Sequence, residues 1–215
     1  MTVGRRYGDR GQAFPIYVVV VAGLLFAAFA FFVIGQASVT RSTAQGAADA
    51  AALAAAREAR DNLAPGLDLV VLKPEEWKGV LDGRLFDARG ACRTAEEFAA
   101  RNEAVASSCK PGPLRFAVEV ETNRTVGDSV VPGTGAMHGT ANATAEIVPL
   151  CRLGPVSGSS PSPTPSPSAS PGETPQQPGP VKIVCREGDD IIFDPLKPKP
   201  WSTLARALFS VRLVD

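Results

Sequence analysis

Apolar residues run almost without interruption through the first part of the chain. No charged residue lies between Gly11 and Thr40, and residues 14–34 form the most apolar stretch. A helix of that length reaches about 30 Å, the thickness of the hydrocarbon layer of a bilayer. Pro15 falls in the first helical turn, where its missing donor costs nothing, and Tyr17 suits an interfacial position. The helical pattern then runs on through Ala47-Ala48-Asp49-Ala50-Ala51-Ala52-Leu53-Ala54 until Pro65-Gly66 stops it. This pattern predicts a transmembrane helix over 14–35 and an alanine-rich stalk helix over 36–64. Gly46, Ala50 and Ala54 fall four apart, a spacing that lets another helix approach closely. The alternative is that alanine simply favours helix and the face meets no partner.

Shorter elements follow. Residues 67–72 read as an extended segment. Pro74 opens a helix, with Glu75 and Glu76 in its first turn. Over 94–106 the pattern predicts a second helix, with Thr94 and Glu97 as a capping-box pair and Phe98, Asn102 and Val105 on one stripe. Residues 114–120 alternate, with Phe116, Val118 and Val120 on one face, and 140–150 alternate again. The stretch 127–139 between them is turn-rich, so two antiparallel strands joined by a long loop is the simplest arrangement. Residues 181–185 and 191–193 read as short strands. Leu204, Leu208 and Val211 predict an amphipathic C-terminal helix over 201–214.

The expected fold class is therefore α+β: a membrane helix, an alanine-rich helix, then a small domain over 65–215 with antiparallel strands and a C-terminal helix. Eight prolines and seven serines crowd residues 157–180. Such a segment cannot bury a core and is expected to be a disordered loop.

Charge gives the span a direction. Arg5, Arg6 and Arg10 precede it and Arg41 alone follows closely, so the N-terminus (residues 1–13) is expected in the cytoplasm and residues from about 38 onward outside. A cleaved signal peptide would end near Gly35-Gln36-Ala37, but its apolar region would run only about 7–15 residues. Across the chain, 22 basic residues balance 22 acidic ones. That balance argues against a nucleic-acid partner, for which a basic face is the minimum requirement.

Cys92, Cys109, Cys151 and Cys185 all lie on the predicted outer side and read as two disulfides. Three pairings are possible. Cys92–Cys109 with Cys151–Cys185 closes the shorter loops, and it makes the Pro/Ser segment a loop projecting from one domain. Chemistry is otherwise sparse. With His138 as the single histidine there is no persuasive catalytic or metal constellation, Gly133-Thr134-Gly135 is too short to cradle phosphate, and Asp189-Asp190 reads as a solvated turn. No cofactor and no enzyme activity are expected.

Asp9-Arg10-Gly11-Gln12, the apolar run and Ala47-Ala48-Asp49-Ala50-Ala51-Ala52-Leu53-Ala54, in that order, resemble the TadE/TadG-like group of Tad-type (Flp, tight-adherence) pilus-assembly proteins. The resemblance covers about residues 9–60. It implies a membrane protein that assists the assembly or anchoring of thin adhesive pili, with the lipid bilayer and other Tad-like membrane proteins as partners. Two features depart from relatives of that system. The fifth residue after Gly11 is Ile16, after Gly8 Ala13 and after Gly4 Asp9, so the glutamate that marks pseudopilin processing is missing. Asp128-Ser129-Val130 is not the Asp-x-Ser-x-Ser metal motif of larger members. The expected role is a permanently anchored, non-catalytic structural or accessory component. A cell-envelope binding or sensor protein, with the helix as a mere tether, is the rival.

Overall fold

The structure, a computed structural model, describes residues 13–127, 134–155, 180–186 and 188–214. The N-terminal basic residues, Asp128-Ser129-Val130 and almost all of the Pro/Ser segment lie outside the described residues. The fold is α+β, as the pattern predicts. A single helix, α1 (Ala13–Asp61), runs for 49 residues through the apolar stretch and the alanines. Helices α2 (Pro74–Leu81) and α3 (Ala91–Arg101) follow, then strands β1 (Ala104–Pro111), β2 (Arg115–Thr125) and β3 (His138–Pro149). Strands β4 (Cys151–Leu153), β5 (Val181–Cys185) and β6 (Ile191–Phe193), helix α4 (Trp201–Leu208) and strand β7 (Phe209–Val214) complete the chain.

The strands form two antiparallel sheets, one ordered β1-β2-β3-β7 and one ordered β4-β5-β6. Alternation sets the buried face of β2, where Phe116, Val118 and Val120 point into the core while Arg115, Glu119 and Glu121 face solvent. Ala145 and Ile147 of β3 and Phe209 of β7 extend the same buried surface.

The second half of α1 is the spine of this core. Ala44, Ala47, Ala48, Ala51, Ala52, Ala55, Ala56 and Ala59 are all buried, and α1 contacts β2, β3, β7 and α3. The expected stalk over 36–64 is thus part of the domain from Ala44 onward. A methyl group is short enough to let a sheet and a second helix approach one rod from two sides. Helix α3 uses the same device, burying Ala91, Ala95 and Ala99 at four-residue spacing.

Four further expectations are corrected. The segment 67–72 is a run of turns, with Asp68 Oδ1 accepting from the Val70 N–H at 2.9 Å, and not a strand. The helix expected over 94–106 starts earlier and stops earlier. Thr94 is not an N-cap, because Ala91 already opens α3 and the Thr94 N–H donates to the Gly90 carbonyl at 3.1 Å. Glu103, at φ 56, then turns the chain into β1 and leaves Val105 exposed on that strand. Finally, 201–214 is not one helix. Leu204 and Leu208 follow helical spacing, but from Phe209 the chain becomes β7 because β3 offers it a free edge. Pairing with a sheet outweighs the local helical pattern.

Candidate functional site

The first half of α1 is the most unusual surface on the molecule. Phe14–Phe32 has a mean hydropathy of 2.4 over 19 residues and none of it is buried against the protein. Phe14, Phe26 and Phe31 are 73%, 74% and 77% exposed. A helix that is apolar on every side finds no stable place in water and matches a lipid environment. By length and composition it is able to cross a bilayer.

Where the helix enters the domain, the fit is tight. A β-carbon on Gly139 would come within 2.9 Å of the Thr40 carbonyl oxygen and 3.4 Å of the Ala44 β-carbon. Only glycine lets the start of β3 lie this close to α1. Beside it, the buried Thr122 hydroxyl donates to the Arg124 carbonyl at 2.7 Å and accepts the Gly139 N–H at 2.9 Å. The His138 Nδ1–H donates to the Thr122 carbonyl at 2.7 Å, so the histidine, exposed at the surface, fastens the β2–β3 turn.

The open strip of α1 within the domain is narrow. Gly46 and Arg57 are exposed on it, with Ala50 and Leu53 half-buried. A β-carbon on Gly46 would meet nothing within 4 Å. Of the three small residues singled out by spacing, Gly46 and Ala50 remain accessible, while Ala54 is only 4% exposed and covered by the chain's own domain. Next to this strip, Gln45 Nε2 donates to Asp49 Oδ1 at 2.8 Å.

At the far end of α1 the chain is fastened twice. Trp201 Nε1 donates to the Arg60 carbonyl at 3.0 Å, and Asp61 accepts from Arg60 and Arg206 at 2.8 and 3.3 Å. Phe86 and Phe209 meet edge to face at 4.9 Å beside them. Trp77, fully buried, packs on Phe193 at 4.7 Å and joins α2 to the smaller sheet.

Both disulfides form in the pairing that closes the shorter loops. Cys92–Cys109 ties the first turn of α3 to β1. Cys151–Cys185 bridges directly opposed residues of β4 and β5. It therefore closes the root of the Pro/Ser segment, which leaves β4 and returns into β5. The Gly154 N–H, donating to the Lys182 carbonyl at 2.8 Å, adds a second tie there.

On the outer face of the larger sheet, Glu146 of β3 receives Arg115 of β2 at 3.2 Å and Arg212 of β7 at 3.3 Å. The Arg115 hydrogen bond, then that of Arg212, hold its carboxyl below the usual glutamate range against the opposing effect of partial burial. Asp87 is likewise held low, chiefly by the Arg89 side chain. Among the described residues, no three histidine, cysteine or acidic side chains gather to hold one metal ion.

Sequence reasoning missed the burial of the alanine run and the role of Gly139. The matching alanine spacing in α3 was the signal for the first. For the second there was none, since a glycine in a turn-rich stretch is unremarkable.

Residues 11–58 match the family model of Flp pilus-assembly TadE/G-like proteins. The match spans the apolar segment and the alanine spine together, and ends just before α1 does. No curated protein and no solved structure matches the chain.

Proposed function

We propose that this protein is a membrane-anchored, non-catalytic structural or accessory component of a Tad/Flp-like pilus-assembly or secretion apparatus. The observation that carries this reading is the all-round exposure of Phe14–Phe32 within a stretch that matches the pilus-assembly family. The basic residues Arg5, Arg6 and Arg10 favour a cytoplasmic N-terminus. Two disulfides in the domain suit an oxidising compartment on the opposite side. The missing glutamate after Gly4, Gly8 and Gly11 fits a permanent anchor better than an extruded subunit.

Partners in this reading are other pilus-assembly membrane proteins. Their helices would meet the apolar span inside the bilayer and the strip at Gly46 and Ala50 just above it. Ala54, already covered, takes no part.

Two experiments test the reading. In intact cells a membrane-impermeant maleimide should label Asp189→Cys and leave Val3→Cys unlabelled; the reverse pattern would overturn the orientation. Deleting the gene should abolish pili on cells that make them. Normal piliation after deletion, or a mature chain beginning beyond residue 37, would sink the anchored pilus-component reading.

A further inference from the structure

Three cations from three separate segments converge on one concavity of the domain. A groove of about 750 Å³ is lined by Lys78 of α2, Arg152 of β4 and Arg186, which follows β5, with Leu81, Leu153 and Val184 in its walls. The backbone fixes the two arginines. Arg152 lies opposite Val184 in the β4–β5 ladder, and the Arg186 N–H donates to the Leu150 carbonyl at 2.9 Å. This makes Arg152 and Arg186 diagonal neighbours on one face, and the Cys151–Cys185 disulfide between them prevents the strands from sliding apart.

All three cationic side chains are exposed, and among the described residues none of them has an ion pair. The one carboxylate among the groove's described residues, Asp82, is taken by Arg84 at 2.7 Å. Like charges lining one groove repel, and an anion bound between them relieves that repulsion. Two guanidinium forks beside an ammonium suit the several oxygens and double charge of a phosphate. We propose that this groove binds a phosphate-bearing anion.

The groove belongs to the end of the domain farthest from the apolar span. The Ala64 N–H donates to the Leu85 carbonyl just beyond α2, and the Leu150 N–H donates to the Leu208 carbonyl at the end of α4. Both segments adjoin the C-terminal end of α1, which at 1.5 Å per residue lies ~40 Å from Phe32. With the span embedded, the phosphate headgroups of the chain's own bilayer are out of reach. The ligand is then a free phosphate compound or a phosphate-bearing polymer.

Calorimetric titration of the full chain in neutral detergent, with inorganic pyrophosphate and with polyphosphate as probes, tests this. Saturable binding of at least one probe is expected. The pair Arg152→Glu and Arg186→Glu should weaken it at least about tenfold, and Arg152→Gln with Arg186→Gln should weaken it without reversing charge. The pair Lys197→Glu and Lys199→Glu changes net charge equally outside the groove and should leave binding intact. Pyrophosphate that displaces polyphosphate identifies a single phosphate compound as sufficient; polyphosphate that resists displacement identifies the polymer. No saturable binding by the unaltered chain, or equal loss in the groove and control variants, overturns the proposal. Unchanged thermal unfolding of each variant shows that lost binding is not lost folding.

Discussion

The indole N–H of Trp201 donates to the carbonyl oxygen of Arg60 at 3.0 Å, joining two residues 141 positions apart. The last carbonyls of a helix lack partners within it, and here a side chain from α4 satisfies one. Trp201→Phe keeps most of the ring packing against Phe86 and Phe209 but removes the donor. It should cost about 1 kcal/mol, visible as a fall of a few degrees in the melting temperature of the detergent-solubilised chain. An unchanged midpoint would mean that the bond contributes nothing.

Gly139 and Gly46 should respond oppositely to the same substitution. Gly139→Ala drives a β-carbon against Thr40 and should destabilise by roughly 1–3 kcal/mol. Gly46→Ala meets open space in a helix interior and should stabilise by about 1 kcal/mol. Urea unfolding of both variants measures the contrast.

Gly46→Leu separates packing within the chain from contact with a partner. Because nothing lies near Gly46 in the domain and leucine favours helix over glycine, the variant should be at least as stable as the parent. On the proposed reading it should nevertheless lose co-purification with other pilus-assembly membrane proteins and reduce piliation. Full assembly by a Gly46→Leu, Ala50→Leu chain would remove this strip from consideration.

The two disulfides should differ in worth. Constraining an unfolded chain stabilises more as the closed loop lengthens, about 3 kcal/mol for a loop the size of Cys92–Cys109 and about 4 kcal/mol for Cys151–Cys185. Paired Cys→Ala variants compared by thermal unfolding should show the larger loss at Cys151–Cys185. That variant should also free the root of the Pro/Ser segment and hasten proteolysis there.

Acid should loosen the larger sheet through Glu146. Its folded pKa lies below the ordinary value of 4.5, so the two arginine contacts contribute fully above that value. The contribution fades as the pH falls through the lowered folded value, when the carboxyl takes up a proton. Glu146→Gln should therefore be less stable than the parent at neutral pH, with the difference shrinking below pH 4.5. A difference that stays constant with pH would show that the charge is not involved.

Much of this architecture is readable in the chain because its signals are local. The alternation that buries Phe116, Val118 and Val120, the length of the apolar run and the proline opening α2 each depend on neighbouring residues alone. What escaped depends on distant ones. Phe209 to Val214 becomes a strand only because β3 has an unpaired edge, and Val105 leaves a helical stripe because β2 draws β1 into the sheet. Composition alone does not tell an alanine that favours helix from one that makes room for a sheet, so the core role of Ala47 to Ala59 was hidden. The site residues divide in the same way. Cysteine spacing pointed to the disulfide pairs, whereas accessibility at Gly46 and Ala54 depended on which side of α1 the sheet would choose.

An unbroken α1 has a mechanical consequence. A domain hung from a flexible linker can swivel. Here the apolar segment Phe14–Phe32 belongs to the same rod around which the core is wrapped, with no loop between them. A twist or tilt applied to the span turns the whole domain with it. Pulling on the domain strains helical hydrogen bonds in series before it unravels any slack. On the proposed reading such a part would transmit position and torque across the membrane surface, as a keyed shaft does, and would hold whatever sits on its upper end at a set height and heading.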